Sequence, residues 1–191
     1  MARPKRDFQS GLPQARRFIT THDDTGKAIY SEDLPEIVPF WAVGPRDEPA
    51  AFGLVYATTS TPVPLTKDED LTTFRRIDEQ RTRGGLVHSG GSAMRYVDYP
   101  PKASSPMHRT VSCDYAVVLF GQVGCRLDSG EERVLNAGDV LVQRGTMHQW
   151  VNLGDTWARM LYVLIDSAPV ESGGVILKED LGGMEGVPES H

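Results

Sequence analysis

Residues 100–122 of the chain read PPKASSPMHRTVSCDYAVVLFGQ, and residues 136–152 read NAGDVLVQRGTMHQWVN. Each stretch carries one histidine, His108 or His148, which follows a turn signal and lies beside a run of β-prone residues. Successive side chains of a strand point to opposite faces, so a sheet that closes on itself brings inward-facing residues of separate strands together. The two stretches therefore predict a closed β-structure that collects His108, His148 and Asp114 at one place.

The rest of the chain extends this β pattern on both sides. Short β-prone runs alternate with turn signals rich in Gly, Asn, Asp and Pro, and this spacing is typical of a sandwich or barrel. The predicted strands, the last of them an edge strand, cover residues 17–21, 27–30, 52–59, 93–99, 114–120, 123–127, 133–135, 139–143, 148–151, 158–165 and 175–177. The one helix that the pattern predicts covers residues 68–79, where Leu71, Phe74 and Ile77 recur at three-residue steps. The predicted fold class is therefore all-β with one short helix.

The length and the composition fit one globular domain. The chain has 191 residues, of which 39% are hydrophobic and 24% charged, so a sizeable core can form. We predict a flexible N-terminal arm over residues 1–14 and an N-terminal β extension with the short helix over residues 15–85. A β-barrel follows over residues 86–168, and a C-terminal tail covers residues 169–191.

The charge and the cysteine content limit the classes of partner and compartment. The net charge is -6 with a pI near 5.3, and no basic face is visible, which argues against nucleic-acid binding. No apolar run has the length of a signal peptide or a membrane span, so no membrane partner is expected. Cys113 and Cys125 are too few for a disulfide framework, and the expected location is the reducing cytoplasm.

His108, Asp114 and His148 are the residues that carry candidate chemistry. Two imidazoles and one carboxylate suit a divalent Fe, Mn, Zn or Ni ion, and the sequence does not choose among these metals. Three protein ligands leave positions open for water or substrate, as in catalytic metal sites. With no metal bound, His148 could instead hydrogen-bond Asp114 and form a buried acid/base dyad. Both interpretations stay open on the sequence alone, and both make His148 and Asp114 the candidate catalytic residues.

The first stretch resembles the first motif of the cupin superfamily, G-x(5)-H-x-H-x(3,4)-E-x(6)-G. His108 stands at the first histidine and Gly121 at the closing glycine. Thr110 stands where the second histidine would be, Asp114 replaces the glutamate, and Lys102 replaces the opening glycine. The loss of one histidine and the shorter carboxylate depart from the metal-binding pattern of the superfamily.

The second stretch resembles the second cupin motif, G-x(5)-P-x-G-x(2)-H-x(3)-N. Its glycines, histidine and asparagine correspond to Gly138, Gly145, His148 and Asn152, although the segment between the glycines is one residue shorter. Two such motifs in order around a hairpin imply the cupin fold, a jelly-roll β-barrel, here with an N-terminal strand extension. The fold implies less about activity, because it hosts enzymes, sugar-binding regulators and storage proteins.

Three further phrases resemble one branch of small single-domain cupins from microbes and fungi. They are R-F-I-T-T-H-D near the N-terminus, M-H-R-T-x-S-x-D-Y around His108 and V-Q-R-G-T-x-H-x-W around His148. Some members of that branch accompany polyketide biosynthesis enzymes, and fungal members are described as oxidoreductases or dehydratase-like enzymes. The resemblance implies a metal-dependent oxidoreductase that acts on a polyketide-derived or phenolic metabolite. The alternatives are a lyase or isomerase using His148 and Asp114 for proton transfer, and a small-ligand-binding cupin that catalyses no reaction.

Four further residues are predicted to line the substrate pocket. Thr110 and Trp150 each lie two residues from a candidate histidine and share its strand face. Gln143 and Tyr96 are the other two predicted pocket residues. A small-molecule substrate is the expected partner, and the resemblance to small cupins also implies a homodimer, which would cover exposed sheet edges.

Overall fold

The chain folds into two larger β-sheets and two small hairpins. The computed structural model describes residues 8–190, which contain thirteen strands and one α-helix. The helix α1 covers Glu69–Glu79, and a 3₁₀ turn over Thr66–Asp68 precedes it. The strands are β1 (Thr20–His22), β2 (Ala28–Tyr30), β3 (Phe40–Val43), β4 (Ala50–Thr58), β5 (Ser92–Tyr99), β6 (Ser112–Phe120), β7 (Gln122–Leu127), β8 (Glu132–Asn136), β9 (Val140–Arg144), β10 (His148–Asn152), β11 (Ala158–Asp166), β12 (Val170–Ser172) and β13 (Val175–Leu177).

The two larger sheets form the barrel. Six strands make one sheet in the order β3-β4-β5-β11-β6-β9, and three make the other in the order β10-β7-β8. Every neighbouring pair in these sheets is antiparallel. From β6 onward the chain passes back and forth between the two sheets, which is the topology of a jelly-roll barrel. The predicted all-β jelly-roll fold with one short helix is confirmed.

One apolar core fills the space between the two sheets. The six-stranded sheet contributes buried side chains such as Val97, Ala116 and Met160, and the three-stranded sheet contributes Val123 and Trp150. Alternate residues of a strand point inward, so apolar residues two apart in the sequence account for this core. Burial of their apolar surface is the main favourable contribution to folding.

The residues before the barrel extend the six-stranded sheet on one side. β3 and β4 continue it beyond β5, and α1 packs on β4, where the rings of Phe74 and Tyr56 have centroids 4.4 Å apart. Arg17 of the N-terminal segment pairs with Asp78 of α1 at 2.9 Å. Within residues 8–190, no helix has the length and apolar character needed to cross a bilayer.

The predicted elements are present, with ends that differ by a few residues, and three details are corrected. β3 lies in a proline-rich segment that the sequence pattern assigned to a loop, and β12 was also not predicted. β13 pairs with β12 in a separate hairpin rather than at the edge of a barrel sheet, because Val175–Leu177 finds its hydrogen-bond partners in the segment just before it.

Both ends of the described chain are held against the barrel. Residues 1–7 of the predicted flexible arm lie outside the described residues, and Phe8 then donates a backbone hydrogen bond to the Phe40 carbonyl at 3.0 Å. At the other end, Arg109 and Asp180 exchange backbone hydrogen bonds of 2.7 and 2.9 Å. The C-terminal tail therefore crosses the segment between β5 and β6. Its apolar side chains that pack on the core are Leu181, Met184 and Val187.

Asn152 ties together the loops at one end of the three-stranded sheet. Its Nδ2 donates to the carbonyls of Tyr99, Pro100 and Thr156 at 3.1, 2.8 and 2.8 Å, and its Oδ1 accepts from the Gly154 N–H at 3.0 Å. We expect Asn152→Ala to lower the free energy of unfolding by about 2–3 kcal/mol, because several buried backbone groups lose their partners. Urea denaturation followed by circular dichroism measures this change.

The matched control for Asn152 is an exposed amide on a neighbouring strand. Gln122→Ala removes an exposed side-chain hydrogen bond of 2.9 Å to Asn136. Its expected effect on the free energy of unfolding is within about 0.5 kcal/mol. Similar losses in the Asn152 and Gln122 variants would contradict the role assigned to Asn152.

Candidate active site

A cavity opens inside the barrel, between the two larger sheets. Its volume is about 100 Å³, and most of its wall is apolar. The apolar part of the wall includes Phe52, Val97, Trp150 and Leu164, which come from both sheets. The polar groups on the wall include two imidazoles, the carboxyl groups of Asp114 and Glu48, a guanidinium and two phenols. An apolar cavity with a few convergent polar groups is the expected form of a small-molecule site.

His108 and His148 lie side by side on the cavity wall. They form an isolated antiparallel bridge, in which each backbone N–H donates to the carbonyl of the other residue, at 2.8 and 2.9 Å. Directly opposed residues place their side chains on the same face, and the two ring centroids are 4.3 Å apart. The structure therefore brings together the two histidines predicted from the sequence, through direct backbone pairing of the segments that carry them.

Backbone carbonyls fix the tautomer of both imidazoles. Nδ1 of His108 bonds to the Pro106 carbonyl and Nδ1 of His148 to the Thr146 carbonyl, each at 2.9 Å. A carbonyl only accepts, so Nδ1 carries the proton and Nε2 keeps its lone pair. Burial lowers the pKa of His148 to about 3, with a further contribution from His108, and burial also lowers the pKa of His108. Both rings are therefore neutral, and no described residue bonds to either Nε2.

Asp114 of β6 has one bonded and one unbonded carboxyl oxygen. Thr110 Oγ1 donates to Oδ2 at 3.4 Å, and Ser112 Oγ donates to Thr110 Oγ1 at 2.8 Å. Oδ1 is buried and has no hydrogen-bond partner among the described residues. Burial raises the pKa of Asp114 to about 6, although Ser112, Thr110 and Arg95 act in the opposite direction. A buried oxygen of this kind is expected to find its partner in a ligand or water.

Arg95 of β5 brings a buried cation to the same wall. Its Nη2 donates to the carbonyls of Gly85 and Leu86 at 3.2 and 2.7 Å. Burial lowers the pKa of Arg95 to about 10, whereas Asp114 acts to raise it, so the guanidinium stays charged at neutral pH. The cavity therefore combines a fixed cation with the carboxyl group and the two neutral imidazoles.

Aromatic rings form the wall next to the histidines. Trp150 is 2% exposed, and its ring meets the rings of His148 and Tyr162 edge to face, each with centroids 5.5 Å apart. The hydroxyls of Tyr99 and Tyr162 lie 3.1 Å apart. Burial raises the pKa of both phenols well above the usual range, so both remain neutral hydroxyls.

The histidine pair suits a divalent metal, but the predicted three-residue set is not assembled. Metal-binding histidines donate one ring N–H to a backbone carbonyl or carboxylate and bind through the other nitrogen, which is how His108 and His148 are prepared. Asp114 instead accepts from Thr110. Over residues 8–190, no three His, Cys, Asp or Glu side chains form a group that could hold a metal ion. The structure supplies two candidate ligands, and Asp114 as a third ligand stays a prediction.

Thr110 and Trp150 border the cavity as predicted, but Tyr96 does not. Tyr96 lies on the opposite face of β5, where its ring stacks on that of Phe40 with centroids 6.3 Å apart. Adjacent residues of a strand point to opposite faces, and Val97 is the residue that faces the cavity. The prediction for Tyr96 is corrected because the sequence pattern alone does not set the phase of β5.

Gln143 also lies outside the cavity wall, which corrects the prediction that it lines the pocket. It is the register partner of Asp114 across β6 and β9, but its Nε2 donates to Thr146 in the turn between β9 and β10. Gln143 borders a shallow surface depression near Cys125 and Val170 instead. Its amide therefore shapes the turn before His148.

Arg95 and Tyr99 are two of the polar cavity residues that the sequence reasoning missed. Together with Val97 they occupy alternate positions of β5, and all three border the cavity. The available signal was a charged residue placed at alternate spacing with apolar ones, which marks a polar group on an inward face.

Comparisons with known proteins agree with the fold. A family model described as "Cupin domain" matches residues 95–164. The "Phomopsin biosynthesis cluster protein D" of Diaporthe leptostromiformis is 42% identical, over 98% of this chain and 95% of its own length. The "Oryzines biosynthesis cluster protein J" of Aspergillus oryzae is 38% identical, over 94% of this chain and 96% of its own. The "Cupin-domain-containing oxidoreductase fogC" of Aspergillus ruber is 37% identical, over 91% of this chain and 83% of its own.

These similarities extend beyond the barrel. The family model covers the strands from β5 to β11, and the relatives align with nearly the whole chain, including the N-terminal extension. His108 and His148 lie within the matched barrel segment. The chain therefore belongs to the cupin family, together with these fungal relatives.

Proposed function

We propose that this chain is a cupin enzyme of fungal secondary metabolism, an oxidoreductase that uses a divalent metal to act on a small phenolic or polyketide-derived molecule. One observation carries the proposal: His108 and His148 stand side by side as neutral imidazoles, with unbonded Nε2 atoms, on the wall of a mostly apolar cavity. Relatives named for fungal biosynthesis clusters and as cupin-domain-containing oxidoreductases support the class of pathway and reaction.

His108 and His148 would hold the metal through their Nε2 atoms. A redox-active divalent ion supplies electron transfer and open positions for substrate oxygen atoms when bound. The chain itself orients the two rings, because the carbonyls of Pro106 and Thr146 hold both Nδ1 atoms. The apolar wall around them limits the access of water and strengthens polar interactions with the substrate.

The cavity wall fits a molecule with an apolar body and a few oxygen atoms. Trp150, Val97 and Leu164 offer apolar contact to a ring or short carbon skeleton. Tyr99 and Tyr162 offer neutral hydroxyls at the same wall. Phenolic and polyketide-derived molecules combine these two features.

Asp114 is the group that we assign to proton transfer. Its Oδ1 is buried and unbonded, so it can accept a proton from a substrate group. Thr110 holds the other carboxyl oxygen, which keeps the carboxyl group in one orientation. Thr110 in turn accepts a hydrogen bond from Ser112, which helps to fix the Thr110 hydroxyl that contacts the carboxyl group.

A lyase or isomerase is the second candidate function. The observation that favours it is the separation of Asp114 from a three-residue metal group, which leaves this carboxyl group and the histidines free to act as independent proton-transfer groups. In this case a substrate would lose water or carbon dioxide, or would rearrange, with no change in its oxidation state.

The mass of the accumulated precursor distinguishes these functions. The gene is deleted in its native host, and the metabolite that accumulates is compared with the final product by high-resolution mass spectrometry. For an oxidoreductase we expect precursor and product to differ by two hydrogen atoms or by an oxygen atom. For a lyase they differ by water or carbon dioxide, and for an isomerase their masses are identical.

Purified protein completes this experiment. Wild-type protein is expected to convert the isolated precursor to the product, and the oxidoreductase proposal also requires dissolved oxygen or another electron acceptor for turnover. Conversion at an unchanged rate under strict exclusion of electron acceptors would contradict it. An unchanged metabolite profile in the deletion strain would contradict both enzymatic functions and favour a ligand-binding protein.

The predicted homodimer remains a proposal. The outer face of β6 and β9 supports it, because Tyr115, Val140 and Val142 are exposed there on neighbouring strands. β9 is also the last strand of the six-stranded sheet, and its free edge would be covered in a dimer.

A further inference from the structure

Three arginines are buried in the described part of the chain, and they differ in their partners. Arg17 pairs with Asp78 at 2.9 Å, and Arg159 pairs with Asp98 through contacts of 2.6 and 2.7 Å. Arg95 makes no ion pair with a described residue, and its contacts are with backbone carbonyls. A buried charge is costly when no opposite charge accompanies it. The counter-charge of Arg95 is therefore expected to come from outside the chain.

The guanidinium of Arg95 also has unused hydrogen-bond donors. Nη2 is the nitrogen that bonds to the carbonyls of Gly85 and Leu86, which hold the group in place. Nε is buried without a partner, and Nη1 makes no hydrogen bond with residues 8–190. A guanidinium has five N–H donors, so a ligand can accept from it with no loss of these contacts.

The position of Arg95 places this cation beside the proposed reaction centre. It shares the inward face of β5 with Val97 and Tyr99, and all three border the cavity that contains the histidine pair. Asp114 acts on the Arg95 charge from a distance but makes no ion pair with it, and accepts its hydrogen bond from Thr110. The Asp114 carboxyl group therefore does not use the hydrogen-bond donors of the Arg95 guanidinium.

We infer that Arg95 binds a carboxylate of the substrate, so that the substrate is a small apolar acid. The inference rests on the proposed function, because it takes the barrel cavity as the substrate site. A carboxylate oxygen accepts a charge-assisted hydrogen bond from the guanidinium, which is stronger than a neutral one. The apolar body of the molecule then contacts Val97 and Trp150. Arg95 selects acids over neutral molecules and orients them relative to the histidine pair.

Benzoate and its neutral isostere benzamide test this selectivity without any need for turnover. Both are titrated by ligand-observed NMR into the full chain as purified, for the wild type, Arg95→Met and Arg95→Lys. We expect the wild type to bind benzoate at least about tenfold more tightly than benzamide. Arg95→Met should bind the two probes with affinities equal to within about twofold, and Arg95→Lys should retain part of the preference.

A second cavity supplies the matched control. It is bordered by Arg95 and by other cations, which include Arg76, Arg81 and Arg83. Arg83→Met removes an exposed cation from that second cavity alone and should leave the preference for benzoate unchanged. Loss of the preference in Arg83→Met would overturn the inference, because the acid would then bind in the second cavity. A wild type that binds benzoate no more tightly than benzamide, or not at all, would overturn it even if the Arg95 variants fail to fold.

A metal bound by the histidine pair could also bind the carboxylate of benzoate. A variant of His108 distinguishes this case from binding by Arg95. His108→Ala removes one proposed metal ligand and should preserve the preference for benzoate. Loss of the preference in His108→Ala together with its retention in Arg95→Met would overturn the role of Arg95. A preserved preference in a protein that binds no metal would contradict the metal in the proposed function and leave the role of Arg95 intact.

Discussion

Asp98→Ala is expected to lower the free energy of unfolding by about 3–5 kcal/mol. Asp98 is 1% exposed, and its two carboxyl oxygens accept from Nε and Nη2 of Arg159 at 2.6 and 2.7 Å and from the Ser10 hydroxyl. Arg159 is buried as well, and it donates through Nη1 to the Pro13 carbonyl at 2.7 Å. Loss of the carboxylate leaves a buried guanidinium without a counter-charge and loosens the N-terminal segment. Urea denaturation of the wild type and the variant measures the loss.

An exposed ion pair of similar geometry is the control for Asp98. Asp33 pairs with Arg75 at 2.7 Å, and about half of each side chain is exposed. We expect Asp33→Ala to lower the free energy of unfolding by no more than about 1 kcal/mol, because water and salt screen an exposed pair. A loss below about 1 kcal/mol in Asp98→Ala would contradict the view that this buried pair is structurally essential.

Trp150→Ala is expected to cost about 3–5 kcal/mol of unfolding free energy. The Trp150 ring is almost fully buried and packs against the rings of His148 and Tyr162, with centroids 5.5 Å from each. Removing the ring creates a void beside the proposed metal ligands, so binding of the substrate should weaken as well. Urea denaturation gives the stability, and probe titration of the cavity gives the effect on binding.

Two further variants show whether the loss of stability comes from packing of the Trp150 ring in the core or from the removal of any aromatic ring. Trp150→Phe keeps a ring in the same place and should lose clearly less stability than Trp150→Ala, since edge-to-face contacts contribute about 0.5–1.5 kcal/mol each. Tyr30→Ala removes a ring of β2 that is 72% exposed and should change the free energy of unfolding by no more than about 0.5 kcal/mol. A Trp150→Ala variant as stable as Tyr30→Ala would show that the Trp150 ring is not part of the core.

The barrel strands were predictable because their burial follows simple alternation. In β6, buried residues alternate with more exposed ones along the whole strand, and β5, β10 and β11 show this alternation over part of their length. β3 was missed because Pro39 precedes it directly and Pro45 follows it closely, and prolines were interpreted as loop signals. Proline is tolerated at the start of a strand at a sheet edge, which is where β3 lies.

Site residues at fixed motif positions were predictable from the sequence. Residues whose place in the site depends on which face of a strand they occupy were less predictable. His108 and His148 stand at motif positions, but their direct backbone pairing depends on how the sheets close. Tyr96 was assigned to the cavity in place of Arg95 because a shift of one residue reverses every side chain of a strand. Asp114 as a third ligand stays a prediction, and its hydrogen bond from Thr110 is a contact that spacing in the sequence does not reveal.

The metal content of tag-free protein tests the central claim most directly. Plasma mass spectrometry is applied to the wild type, His108→Ala and His148→Ala after reconstitution with divalent Fe, Mn, Zn and Ni and removal of the excess. We expect the wild type to retain about one metal ion per chain and both histidine variants to lose it, because each ring contributes one free Nε2. Asp114→Asn reports separately whether the carboxyl group is a third ligand. A wild type that retains no metal, or histidine variants that retain as much as the wild type, would contradict a metal centre on this pair.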